Sequence, residues 1–193
     1  MAYASTESSF PQSSIPVAVL GPQLCAPYPI DHSRRKFCRY GCSSNIIFKV
    51  KDTLLSLRDQ RILLDIVENP LVSMQQKIMS GHRRWQVFRG DSSDSKDLLF
   101  SGKKSLLIQF KTVLDVFLAT NTKEEVCDFK IKGSLLERSC IVYSRDSSNS
   151  IIIAQSVVLG NDTFAVTMYP NIDHAFIVAL IVILDEINED KAY

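Results

Sequence analysis

The sequence predicts a mainly β protein, an all-β sandwich or barrel with one long apolar segment near its C-terminal end. From Asn45 onward, short segments rich in β-branched and aromatic residues are separated by turn-forming residues. Several of them alternate apolar and polar residues, as Ile46–Val50 does, which is typical of half-buried strands. About ten such segments at close spacing favour a sandwich or barrel over alternating βαβ units.

The predicted strands follow one another with little between them. The turn Glu68–Pro70 separates the second strand from the third and predicts a hairpin. In chain order the strands are Ile46–Val50, Arg61–Val67, Leu71–Lys77, Arg84–Arg89, Leu98–Ser101, Ser105–Phe110, Val113–Leu118, Asp128–Lys132, Leu135–Ser144, Ile151–Val158 and Thr163–Tyr169.

The N-terminal region differs from this body in composition. Residues 1–32 are rich in Ser and Pro, and prolines at this density predict an extended or mobile arm. Within the arm, the apolar patch Pro16–Leu20 is expected to dock on the body as one edge segment. The sequence therefore divides into an arm, 1–32, and one domain, 33–193.

The apolar run Ala175–Leu184 fits either a helix or a buried strand. Asp173 is a suitable N-cap and Ile187 continues the helical spacing, whereas five β-branched residues favour a strand. The acidic residues Asp185, Glu186, Glu189 and Asp190 would lie at the unfavourable end of the helix dipole. A helix that is apolar on every face must be surrounded by protein, which inside a closed sheet means its lumen.

Charge is unevenly distributed along the chain. The 193 residues carry a net charge of +1, with 46% hydrophobic and 22% charged residues, as in an ordinary globular protein. Residues 34–145 contain 21 basic and 12 acidic residues, while residues 146–193 contain 7 acidic residues and one lysine. A basic body of this kind is compatible with an anionic surface as a partner.

Five cysteines, Cys25, Cys38, Cys42, Cys127 and Cys140, are an odd number without zinc-site spacing, and we expect reduced thiols. The sequence shows neither a signal peptide nor an apolar run long enough for a membrane span. These observations predict a soluble cytoplasmic protein, with peripheral membrane attachment and a nuclear location both left open.

No constellation of residues predicts an enzyme. The three histidines, His32, His82 and His174, are far apart and belong to no metal-binding pattern, and no nucleophile elbow occurs. Asp115 and Glu137 interrupt apolar strand patterns, which favours structural ion pairs or positions at the rim of the lumen over catalysis. We expect no catalytic residue, no metal and no cofactor.

Basic residues remain as the candidate site. Lys130 and Lys132 share one strand face, opposite Phe129 and Ile131. One interpretation is a solvated strand face that discourages edge pairing, and the other is a site for lipid headgroup phosphates. The candidate headgroup-binding residues are Arg83, Arg84, Lys103, Lys104, Lys130 and Lys132.

The most distinctive stretches of the sequence are Gly21–Cys25, Arg84–Gly90, Lys132–Cys140 and the end of the chain from Tyr169 to Asp185. Together these four stretches resemble the plant LURP-one-related family. The resemblance covers most of the chain from about Pro16, and its last stretch is the most specific.

The resemblance implies a tubby-like fold, a closed antiparallel β-barrel of about twelve strands that encloses a hydrophobic C-terminal helix. On this basis the helix spans about 174–188, with Phe176, Leu180 and Leu184 in the core. Kinship with the phosphoinositide-binding tubby proteins and with phospholipid scramblases is also implied, as is a link to pathogen defence. The family offers no catalytic residues.

Two departures from the family pattern predict an incomplete barrel. Polar Ser33–Ser44 replaces two opening strands, and Ser156–Gly160 follows Gln155 where the family carries a further strand with a basic pair. Missing wall strands would leave unpaired edges. Either Ser33–Ser44 or the N-terminal arm covers the opening, or strands such as Ile151–Val158 pair with a second chain, and we expect self-association or poor stability.

The sequence thus predicts a non-enzymatic module that attaches to phosphoinositide membranes in plant defence, with an unknown protein partner. Two alternatives stay open. One is a lipocalin-like carrier, which a helix filling the lumen would exclude. The other is a nucleic-acid-binding transcriptional regulator that uses the basic body.

Overall fold

The structure is a computed structural model that describes residues 16–28, 30–31, 37–38, 48–53, 60–77, 84–108, 111–134, 139–145, 150–160 and 163–189. It contains twelve strands followed by one α-helix, α1 (His174–Glu189). The strands are β1 (Ile30–Asp31), β2 (Phe37–Cys38), β3 (Lys49–Thr53), β4 (Gln60–Leu64), β5 (Pro70–Lys77), β6 (Arg84–Arg89), β7 (Leu98–Ile108), β8 (Lys111–Leu118), β9 (Phe129–Ser134), β10 (Ser139–Arg145), β11 (Ser150–Gly160) and β12 (Thr163–Met168).

The ten longer strands, β3 to β12, form one antiparallel sheet in which every strand pairs with the next in the chain. Within the described residues, β3 and β12 do not pair with each other. The two-residue strand β2 lies between them, antiparallel to β12 and joined to β3 by the single parallel pair Cys38–Lys49. The predicted mainly β fold is confirmed, and the ten long strands form an incomplete barrel.

Helix α1 is the centre of the core. None of the ten side chains from Ala175 to Leu184 is more than 5% exposed. The ring of Phe176 makes edge contacts with Phe100 on β7 and Phe129 on β9, at centroid distances of 5.1 and 4.8 Å. The predicted C-terminal helix is confirmed, and the strand alternative is wrong. Phe176, Leu180 and Leu184 all lie in this core.

The C-terminal end of the helix contains acidic residues, among them Asp185 and Glu186, where the helix dipole is unfavourable to negative charge. Glu186 forms a two-pronged ion pair with Arg61 on β4, with N–O distances of 3.1 and 3.0 Å. Both side chains are largely buried, with 12% and 14% of their surfaces exposed. A cation from the sheet thus offsets the unfavourable position of this carboxylate.

Residues 16–28, part of the predicted arm, pack on the start of the helix. The backbone of Val17 pairs with Asn171 and Asp173, and the backbone of Asn171 donates to Ala26. Leu20 is 7% exposed and belongs to the hydrophobic core. The predicted docking of Pro16–Leu20 is confirmed, and the arm is not extended as a whole.

Two expectations about the strands are corrected. Leu98–Ser101 and Ser105–Phe110 were expected to be separate, but β7 runs from Leu98 to Ile108, because a bulge at Ser105 absorbs the extra residue. The predicted open edge at Ile151–Val158 is wrong, because β11 pairs with both β10 and β12 on either side of Gln155. The other predicted gap, Ser33–Ser44, lies largely outside the described residues.

Candidate functional site

The candidate site lies on the outer surface of the sheet, opposite the helix. On β9, Phe129 and Ile131 are buried in the core, whereas Lys130 is half-buried and Lys132 is exposed. Since successive side chains of a strand point to opposite faces, both lysines lie on the outside. The predicted shared face of Lys130 and Lys132 is confirmed.

Strand register extends this pair into a row across five strands. Arg84 on β6 is opposite Lys103 on β7, which is opposite Asp115 on β8, which is opposite Lys130. Tyr143 on β10 completes the row beside Lys130. We call Arg84, Lys103, Lys130 and Lys132 the outer basic face.

Carboxylates neutralise half of this face. Arg84 donates two hydrogen bonds to Glu124, one of them 2.7 Å long. Lys130 lies 3.1 Å from an oxygen of Asp115, so Asp115 serves in a structural ion pair, as the sequence predicts. Two members of the face therefore act first as ion-pair partners.

Lys103 and Lys132 have no carboxylate partner among the described residues. Lys103 is half-buried between the two ion pairs. The ammonium of Lys132 lies 4.9 Å from the centre of the Tyr143 ring, within cation–π range. These two lysines are the charges of the outer basic face that remain for a ligand.

Of the six candidate residues, Lys104 does not extend the face, and Arg83 is not among the described residues. Lys104 is opposite Leu114, whose side chain is in the core, so its register position belongs to the inner surface next to the β7 bulge. The sequence predicts one patch that contains Lys103 and Lys104, but adjacent residues of a strand point to opposite faces, so the two lysines do not share a face. Glu137, like Arg83, lies outside the described residues.

Glu124 was not predicted from the sequence. It is in the loop between β8 and β9, where Asn121 accepts a hydrogen bond from its backbone and Asp128 accepts one from the Asn121 amide. Glu124 has the left-handed φ of 51° that favours glycine. The surrounding hydrogen bonds hold Glu124 in this conformation, and no sequence pattern indicates these contacts.

A surface pocket of about 440 Å³ adjoins this loop, lined by Asn121, Lys123, Glu125, Val126, Cys127, Asp128 and Arg145. Burial raises the pKa of the Cys127 thiol, and the Asp115 carboxylate adds to this rise. Such a thiol is a poor nucleophile, because the thiolate is the reactive form. In the described part of the chain, no three His, Cys, Asp or Glu side chains are grouped as metal ligands.

The interior of the sheet contains helix α1, whose side chains fill the core from Phe176 to Leu184. A lipocalin-like carrier needs an empty lumen. The described core therefore argues against that alternative.

Comparison with known proteins identifies the family. The model of the LURP-one-related family matches residues 32–185. The chain belongs to the LURP-one-related family. It is 48% identical to LURP-one-related 15 of Arabidopsis thaliana, over 90% of this chain and 88% of that protein. It is 43% identical to LURP-one-related 10 of the same plant, over 91% and 99%.

A solved X-ray structure of an Arabidopsis thaliana protein has the same fold. It aligns with a TM-score of 0.69 and 44% identity, over 89% of this chain and 98% of that one. In this LURP-one-related chain no described helix combines the length and apolar character that a membrane span needs.

The stretches that resemble the family have structural roles around the helix. Gly21 donates its N–H to Asp173, the residue before the helix. At Gly133 on β9, a side-chain carbon would lie 2.9 Å from Leu184. Much of the family signature is therefore explained by enclosure of the helix.

Proposed function

We propose that this LURP-one-related protein is a non-enzymatic signalling module of plant defence that attaches to phosphoinositide membranes through its outer basic face. Attachment would take place on the cytoplasmic side of the membrane. One observation carries the proposal: Lys103 and Lys132 share the outer face with two ion pairs and have no carboxylate partner among the described residues.

The electrostatics favour weak, reversible attachment. A cation near an anionic leaflet contributes about 1 kcal/mol. Lys103 and Lys132 together would therefore supply about 2 kcal/mol, while Arg84 and Lys130 are held by Glu124 and Asp115 and contribute less. Binding of this kind weakens as salt screens the charges.

The polar groups that could serve catalysis have other uses here, which supports a non-enzymatic role. Asp115 pairs with Lys130, and Asp173 accepts hydrogen bonds from three backbone N–H groups. Burial raises the pKa of Cys140 to about 12, so its thiol stays protonated.

The test is flotation of the protein with phosphatidylcholine vesicles that do or do not contain phosphatidylinositol phosphates. We expect binding only with the phosphoinositide, weaker binding of Lys103→Ala and Lys132→Ala, and weaker binding at high salt. Lys96→Ala is the matched control, since Lys96 is exposed in the β6–β7 loop and its nearest acid is 4.0 Å away.

Equal flotation of all three variants would contradict the proposed face. A parallel measurement with duplex DNA covers the nucleic-acid alternative. If the protein binds DNA in a salt-dependent way and does not bind vesicles, its partner is nucleic acid and the membrane proposal is wrong.

A further inference from the structure

An apolar surface runs along the outside of β4 into the turn that follows it. Ile62 and Leu64 are half-buried on the outer face of the strand, while Leu63 between them is fully buried. In the turn, Ile66 and Val67 are 66% and 70% exposed. We call Ile62, Leu64, Ile66 and Val67 the apolar ridge.

The turn that presents Ile66 and Val67 is held in one conformation. A carboxylate oxygen of Asp65 accepts hydrogen bonds from the backbone of Val67 and Asn69 at 2.9 and 2.8 Å, and its other oxygen accepts from the Asn69 side chain. Glu68 has a left-handed φ of 67° and an ion pair of 2.8 Å with Lys49. Two apolar side chains are therefore kept in solvent by an ordered network.

The hydrogen bonds also fix the charge of the turn. Burial opposes ionisation of Asp65, but its hydrogen bonds with Asn69 and Val67 keep its pKa below the ordinary value. The hydrogen bond and charge of Lys49 lower the pKa of Glu68 in the same way. Both carboxylates are therefore ionised at neutral pH, and each can accept the hydrogen bonds described above.

Two lysines flank the ridge on the neighbouring strand. Lys49 and Lys51 on β3 are opposite Leu64 and Ile62, and the side chain between them, Val50, is buried. The lysines are therefore on the outer face, beside the ridge. Apolar side chains with adjacent cations are the combination that binds the interface of an anionic bilayer.

We propose that the apolar ridge inserts into the interfacial layer of an anionic bilayer, with Lys49 and Lys51 against its phosphates. The inference rests on the proposed function, because it takes the same phosphoinositide membrane as the partner. It adds an apolar contact at a site away from the outer basic face. The exposed Lys51 carries the choice of a bilayer, because it has no carboxylate partner among the described residues. Lys49 pairs with Glu68, and Asp65 uses both of its carboxylate oxygens for hydrogen bonds within the turn.

The chain offers a direct readout, because its only tryptophan, Trp85, is 3% exposed. Val67→Trp places a second indole on the ridge, and bromine atoms on lipid acyl chains quench tryptophan emission at short range. With vesicles of brominated phosphatidylcholine and phosphatidylinositol phosphate, we expect quenching of Val67→Trp. Val157→Trp on β11, at a site with 48% exposure, is the matched control and should keep its emission, as should the unmodified protein.

A second variant measures the contribution to binding. Ile66→Ser combined with Val67→Ser should weaken binding to these vesicles about tenfold, equivalent to about 1.4 kcal/mol, and the loss should persist at high salt. Val157→Ser should bind like the unmodified protein.

Vesicle binding without quenching of Val67→Trp would overturn the insertion and leave the proposed function standing. Failure of the unmodified protein to bind vesicles would overturn both. Quenching that survives Lys103→Ala and Lys132→Ala would support the ridge and assign the binding to it instead of to the outer basic face.

Discussion

The backbone N–H of Leu20 donates a hydrogen bond of 2.7 Å to a carboxylate oxygen of Asp173, a residue 153 positions further along the chain. The other oxygen accepts from the backbone of Phe176 at 3.0 Å, which is the N-cap interaction that the sequence predicts. The fully buried Asp173 therefore joins the N-terminal segment to the first turn of the helix.

Asp173→Ala should destabilise the protein by about 3 kcal/mol, since an N-cap contributes about 1 kcal/mol and hydrogen bonds to a buried charged group about 1.5–3 kcal/mol. Urea denaturation measures the loss. Asp91→Ala, at an exposed position, is the control and should leave the midpoint unchanged. A loss below 1 kcal/mol would mean that the carboxylate does not hold the two segments.

Leu180→Asp should prevent folding, because a carboxylate without a partner in the core costs several kcal/mol. Phe176→Asp should do the same, and Val157→Asp on the outer surface of β11 should fold normally. Circular dichroism and the melting curve distinguish the variants. Normal melting of Leu180→Asp would show that the helix is not enclosed.

Gly133→Ala should cost about 1–3 kcal/mol, since overpacking a core forces neighbours to move. The added carbon would lie 2.9 Å from Leu184. In a Leu184→Ala background the same substitution should cost much less, and the difference gives the coupling between the two sites. If Gly133→Ala costs the same free energy of unfolding in both backgrounds, the added carbon does not act through Leu184.

The two bidentate ion pairs should differ in strength. Arg61→Ala removes the largely buried bidentate pair with Glu186 and should cost about 3 kcal/mol, near the lower limit for breaking a buried pair. Arg84→Ala affects a pair whose side chains are 27% and 30% exposed, and should cost about 1 kcal/mol or less. Equal losses in thermal unfolding would contradict this order.

The thiols should react in the order of their burial. Burial, with the Asp173 charge as a smaller cause, raises the pKa of the half-buried Cys25, whereas Cys140 reaches about 12. Cys140 therefore stays protonated at pH 8, and a thiol reagent should label Cys25 first. Urea should remove the difference. The structure describes Cys25, Cys127 and Cys140 as free, and a mass measured without reductant checks all five cysteines.

Local patterns in the sequence predict much of this fold. Asp173 before a fully apolar run predicts the helix, Glu68–Pro70 predicts the β4–β5 hairpin, and alternation predicts the two faces of β9. The pairing of Arg84 with Glu124 joins residues 40 positions apart and has no local signal. The sequence also predicts a break between Leu98–Ser101 and Ser105–Phe110, because the bulge that keeps β7 continuous is a property of two paired strands. With that break, the alternation of Lys103 and Lys104 along one strand has no sequence signal.

The order of elements along the chain has a consequence for biosynthesis. A ribosome makes all twelve strands before the helix that fills them, so the growing sheet has no apolar filling until Leu184 has left the exit tunnel. The Leu20–Asp173 bond joins the earliest described segment to one of the last. We therefore expect native structure to form after synthesis in one cooperative step, with chaperones shielding the unfilled strands until then.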